Sequence, residues 1–124
     1  MISLADLQRR IDAGDLSADA AIAQSLEAVR AHEKSIGAFV CHDPDARVQS
    51  AGPLRGIAVG IKDIIDTAEL PTEMGSPIYK GWRPRADAPV VAMLKAAGAT
   101  VAGKTLSGIV FQLTVLTFHA SPGR

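Results

Sequence analysis

An α/β fold, with two N-terminal helices followed by part of a mixed, largely parallel sheet, is predicted by three features of this chain. Two amphipathic stretches open it. A strand, a long connection, a helix and a second strand then follow in that order, and such a crossover implies a parallel pair. The core must also be aliphatic, because hydrophobic residues make up 48% of the chain while aromatics make up only 4%.

The first stretch places Leu4, Leu7 and Ile11 at helical spacing, with Arg9 and Arg10 on the other side. Ser3 is its expected N-cap, Asp6 the capping-box partner, and Gly14 the stop. The second helix is expected to start at Ser17, with Asp19 in its first turn, where the dipole favours an anion. Ile22, Leu26 and Val29 form its apolar stripe; Gln24, Glu27, Arg30 and Glu33 face water, and Gly37 closes it. Ala38 to Cys41 reads as a short strand, and a polar linker, 42–49, follows. The turn Gly52-Pro53-Leu54-Arg55-Gly56 then delivers the chain into Ile57–Ile61, an apolar run of buried-strand length. The stretch from Asp63 to Pro89 holds four prolines and reads as a long loop of functional character. Pro89 fits the first turn of a helix whose inner face is Val90, Val91, Leu94 and Ala97. Ala99 to Ala102 is the next strand. In the tail, 109–111 and 115–118 have strand composition.

Composition removes several classes of function. The 124 residues allow one domain. Thirteen basic and thirteen acidic side chains leave no field for nucleic acid. A single cysteine, Cys41, permits neither an internal disulfide nor a cysteine-based metal site, and suits a reducing compartment. The first residues lack the basic and apolar regions of a signal peptide, and no apolar run reaches membrane-spanning length. A cytoplasmic protein with no membrane association, no metal and no cofactor is expected.

Two lysines invite chemistry. Gly98-Ala99-Thr100-Val101-Ala102-Gly103-Lys104-Thr105 matches the phosphate-loop pattern G-x-x-x-x-G-K-[ST]. Phosphate binding requires a strand before the first glycine and a helix after the threonine. Here a helix precedes Gly98 and a strand fills the interval, so helix–strand punctuation competes with a nucleotide-binding module that uses Lys104. Lys62 stands at the carboxyl end of an apolar strand, where ligands gather in open α/β sheets, and Asp63 and Asp66 follow at once. A lysine that loses water there is suited to act as a base, whereas a solvated Lys–Asp pair would do nothing. His32, His42 and His119 share no ligand spacing. Cys41 and His42 are neighbours on a strand and point to opposite faces, so they do not make a nucleophilic pair. Tyr79 and Trp82 flank Gly81 as packing anchors or pocket walls.

The run Gly52-Pro-Leu-Arg-Gly-Ile-Ala-Val-Gly-Ile-Lys62-Asp-Ile-Ile-Asp66 resembles the lysine-bearing segment of the amidase signature family. Leu70-Pro-Thr-Glu-Met-Gly-Ser76, Asp87-Ala-Pro-Val-Val, Ala97-Gly-Ala and Gly103-Lys-Thr105 continue it in the expected order, most like the bacterial malonamidases. The resemblance implies that residues 1–105 are the N-terminal portion of an incomplete amidase-signature fold, with 106–124 an off-pattern tail. It implies hydrolysis of a small carboxamide substrate, malonamate-like, by a Ser–cis-Ser–Lys triad, with Lys62 in the lysine's place. No Gly-Gly-Ser-Ser-type run occurs in the chain, and Ser76, Ser107 and Ser121 stand in other contexts, so neither serine is transferred. A truncated or frame-disrupted gene, or a fragment, would account for this, and the chain is expected to hydrolyse no amide at a family-like rate. A non-catalytic α/β fragment is the alternative; strands lacking neighbours imply self-association in either case.

Overall fold

The computed structural model describes residues 3–106; the strands expected at 109–111 and 115–118 lie outside them. The element order is α1 (Leu4–Asp12), α2 (Ala18–Ile36), β1 (Phe39–His42), β2 (Ala58–Lys62), a 3₁₀ turn (Pro77–Tyr79), α3 (Pro89–Ala96) and β3 (Thr100–Thr105). The strands form one mixed sheet in the order β1-β3-β2, antiparallel between β1 and β3 and parallel between β2 and β3. The expected crossover is therefore present.

Most helix ends follow local chemistry. Ser17 caps α2 by accepting the Ala20 amide at 3.1 Å, and Gly37 ends it in the left-handed region at φ 62°. At α1, Ser3 holds the N-cap backbone conformation but its side chain caps nothing. Asp6 pairs with Arg9 instead of completing a capping box, since the two meet one turn apart on the helix surface. Glu33 is turned from water as well, because its Oε1 accepts the Phe39 amide at 2.8 Å and ties the end of α2 to β1. On α3 the inner face is narrower than expected. Val91 is fully buried, whereas Val90 lies out in solvent contact, because Pro89 sets a helix phase in which only one of two adjacent valines can face the sheet.

The sheet separates two apolar clusters. Ile57, Val59, Ile61 and Ala99 pack with Leu7 and Leu16, Ala21 of α2 and Val91 of α3 on one face. Ala58 and Ala102 pack with Ile22 and Leu26 of α2 on the other. All five residues of β2 are buried. This fits a parallel strand covered on both faces, and explains its unbroken apolar composition.

Alternation along β3 is interrupted. Val59 pairs with Val101, but Gly60 pairs with Gly103, so Ala102 is an extra residue in a bulge. Beyond it Ile61 pairs with Lys104 and Lys62 with Thr105. The bulge turns Lys104 to the face of Ile61, opposite to that of Lys62.

Residues 98–105 also correct the nucleotide-binding alternative. Gly98 ends the turn after α3 at φ 99°, the next residues are a central strand, and Lys104 has no exposed surface. Strand amides committed to a ladder cannot cradle phosphate.

Candidate active site

Strand β2 ends at Lys62, which is 8% exposed, and the chain turns there into the long segment 63–88. Its direct neighbour in the sheet is Thr105, and two residues earlier on each strand Gly60 and Gly103 also pair. Neither glycine adds a side chain of its own beside Lys62. At Gly103 the space is already occupied: a Cβ would meet the Cys41 carbonyl oxygen at 2.5 Å and the Phe39 ring at 2.7 Å.

Asp63 points the other way and is fully buried. Its amide donates to the Thr105 carbonyl at 3.0 Å, and its carbonyl accepts the Met74 amide at 3.2 Å. Its carboxylate accepts the Glu73 amide at 3.1 Å on Oδ1 and the Gly75 amide at 3.4 Å on Oδ2. The turn that presents these amides bends through the left-handed region at both Met74, φ 55°, and Gly75, φ 68°. Such a conformation costs a non-glycine residue roughly 1–2 kcal/mol, so the buried carboxylate is what makes Met74 tolerable there.

On the same side lies Lys104. Its Nζ donates to the Ile65 carbonyl at 2.7 Å, Thr72 Oγ1 at 2.6 Å and Thr67 Oγ1 at 3.1 Å, with Asp63 Oδ1 at 4.0 Å. Both threonine hydroxyls spend their own protons elsewhere, Thr67 on the Leu70 carbonyl and Thr72 on the Ile65 carbonyl. Three acceptors therefore face one nitrogen, which matches the three N–H donors of an ammonium. Burial pushes Lys104 below lysine's ordinary value, and Asp63 opposes that push.

The rest of the long segment is tied down by a second cluster. Asp87 Oδ1 accepts the Ala68 amide at 2.8 Å, and Oδ2 pairs with Lys95 at 2.9 Å; Lys95 also reaches Glu69 at 3.3 Å. Burial pushes the Asp87 carboxyl up, but the Ala68 amide and the Lys95 ammonium outweigh it and hold the group below its usual value. A carboxyl lowered on folding adds stability that is present above its unfolded value and lost as pH falls through the folded one. Asp87→Asn should thus cost about 1 kcal/mol or less near neutrality, after solvent screening. It should also flatten the fall in stability at acid pH, as followed by urea midpoints between neutrality and acid. An acid limb of unchanged steepness would contradict this.

The remaining sequence candidates are scattered. Cys41 lies opposite Lys104 and His42 opposite Gly103, which places them on different faces, and burial pushes the Cys41 thiol up, away from a nucleophilic thiolate. Ser76 accepts the Ile78 amide as the cap of the 3₁₀ turn; Ser107 and Ser121 lie outside the described residues. Tyr79 and Trp82 meet edge to face at 6.3 Å and are each 42% exposed. A cleft of about 250 Å³ between α2 and the 44–47 turn, lined by Arg30 and Arg47, includes neither lysine. Among the described residues, no group of His, Cys, Asp and Glu could hold a metal ion, and no helix is long and apolar enough to cross a membrane. Sequence reasoning missed Lys104, Thr67 and Thr72 as a set, because strict alternation along β3 would put Lys104 on the face of Lys62.

The described residues thus define an α/β protein with a buried lysine at the end of a doubly covered parallel strand. The sequence profile described as Amidase matches residues 4–110, and the chain belongs to that family. A glutamyl-tRNA(Gln) amidotransferase subunit from Rhodopirellula baltica is 39% identical, the match covering 83% of this chain and 23% of the relative. The native peptide amidase of Stenotrophomonas maltophilia superposes with a TM-score of 0.67 at 35% identity, over 82% of this chain and 24% of that one. A structure described as a vestigial protein complex bearing on the origins of an s-triazine catabolic enzyme matches with a TM-score of 0.76 at 27% identity, over 85% and 26%. The chain thus spans about a quarter of the length of these relatives.

Proposed function

We propose that residues 1–105 are the lysine-bearing portion of an amide-cleaving site, that 106–124 form a tail outside it, and that Lys62 is the base. The observation that carries this reading is the placement of Lys62: buried at the carboxyl end of β2, the end of a parallel strand at which ligands gather in open α/β sheets. In the triad chemistry that the family resemblance implies, a neutral lysine accepts a proton through a cis-serine from the nucleophilic serine. The tetrahedral oxyanion is held by backbone amides. An acyl-enzyme forms as ammonia leaves, and water then releases the acid. The substrate is a carboxamide. The relatives' names, a peptide amidase and one component of an amidotransferase, support amide-bond chemistry broadly, and a malonamate-like substrate is one case within it. The experiment is a hybrid in which residues 1–105 replace the matching segment of the Stenotrophomonas peptide amidase, assayed for ammonia release from malonamate, glutamine and peptide amides. A folded hybrid that turns over none of them would refute the reading.

The same reading places this chain against other protein surface. Ile78, Met93 and Leu106 are 88%, 72% and 59% exposed, and Tyr79, Trp82 and Val90 add to the uncovered apolar area. The chain is expected to associate with itself when purified alone. Light scattering checks this, and a sharp monomer peak without binding of a hydrophobic dye would oppose it.

A further inference from the structure

We propose that Lys104 and Asp63 form a buried ionic clamp that positions Lys62 from the opposite face of the sheet. This rests on the reading of Lys62 as the base and adds two positioning residues to it. The two lysines occupy consecutive rungs of one ladder, Ile61 to Lys104 and Lys62 to Thr105. Lys104 gathers the Ile65 carbonyl and the Thr67 and Thr72 hydroxyls around one cation. Asp63 gathers the Glu73 and Gly75 amides around one anion and holds Thr105 through its own amide. The two charges stand 4.0 Å apart with side chains 0% and 1% exposed.

Together they fix the chain that follows Lys62. Its carbonyl accepts the Ile65 amide at 2.9 Å, closing a tight turn whose far end is Lys104's acceptor, and Asp63 is its next residue. The Lys62 backbone therefore has little freedom to turn its side chain to another direction. Burying a pair in this way is unfavourable unless each charge finds its partner and the remaining donors and acceptors are satisfied. Here Lys104 has three acceptors and Asp63 has two amide donors besides the partner charge. A lysine that served only to fill the core would be replaceable by methionine with little effect on residues across the sheet, Lys62 among them.

The test uses the full 124-residue chain, parent against Lys104→Met, with two NMR readouts. Amide exchange should accelerate about tenfold or more at Asp63, Ile65, Glu73 and Met74, while Ala21 and Leu26 of α2 keep their protection. The two Hε protons of Lys62, inequivalent when the side chain is held, should merge toward one averaged shift. Adding Asp63→Asn to Lys104→Met should give a smaller loss than the two single losses combined, because no uncompensated charge is then buried. Should Lys104→Met fail to fold, Thr72→Val removes the 2.6 Å acceptor, together with that hydroxyl's longer bonds to the Ile65 carbonyl and the Thr67 amide, and should show the same pattern in reduced degree. Uniform loss of protection that includes α2, or an unaltered Lys62 signal in the variant that folds, overturns the clamp. Neither readout involves turnover. Retained turnover in a Lys62→Ala hybrid would remove the base and leave these spectra as they are, whereas unaltered spectra would remove the clamp and leave the base.

Discussion

Lys62→Ala in the hybrid enzyme is expected to lower kcat by about four to six orders of magnitude, since members of a nucleophilic triad act as a unit. The strand should survive the change. Lys62 ends β2 rather than filling its middle, and its backbone bonds, including the carbonyl that accepts the Ile65 amide, do not involve the side chain. Turnover and fold should therefore separate: ammonia release falls to background while the thermal midpoint moves by a few degrees. Because the loss is in proton transfer, KM for the amide should change far less than kcat. Near-normal kcat in a folded Lys62→Ala hybrid would exclude the residue from the mechanism.

Gly103→Ala is expected to be strongly destabilising, because the added methyl group has no room between β3 and β1. Its Cβ would approach the Cys41 carbonyl oxygen at 2.5 Å, the Phe39 ring at 2.7 Å and the His42 Cα at 2.8 Å. Two of those three atoms are backbone of the adjacent strand, so relief requires β1 to move away from β3. The cost should be about 3 kcal/mol, the upper end of what overpacking imposes. That is a large share of the roughly 5–15 kcal/mol that holds a domain together. For a chain of this size it corresponds to a fall in thermal midpoint of about 10 °C or more. Unlike Lys62→Ala, it should lower stability and hybrid turnover together. Gly14→Ala is the control, because a Cβ there meets nothing within 4 Å and only its φ of 79° is strained. Equal midpoints for the two variants would show that β1 yields easily.

The order of elements was legible because each is written locally. Ser17 and Gly37 carry the cap chemistry of α2 in their own side chain and backbone. Ile22, Leu26 and Val29 mark its buried stripe at helical spacing, and Pro89 can sit in a helix only in its first turn. Parallel pairing followed as well, since a strand, a long crossover and a second strand leave few other arrangements. Lys62 stood out for the same kind of reason: a charge directly after an unbroken apolar run must lie at a strand end. Where neighbours along the chain compete, local signals were insufficient. Asp6 had both Ser3 and Arg9 within reach and took the arginine, and only one of Val90 and Val91 could face the sheet.

The role of Lys104 illustrates the other limit. Its residues are spread over roughly forty positions, and nothing in the spacing of Asp63, Ile65, Thr67 and Thr72 announces a cation among them. Its own octapeptide points instead toward phosphate. The deciding event is the single extra residue at Ala102, which reverses the face of everything after it in β3. A bulge of this kind arises from how two strands fit each other, not from the composition of either. The chain alone therefore specifies which segments are helix and strand, and that Lys62 ends a buried strand. Which lysine meets Asp63 is set by register between strands far apart in the chain, a property that exists only once they have paired.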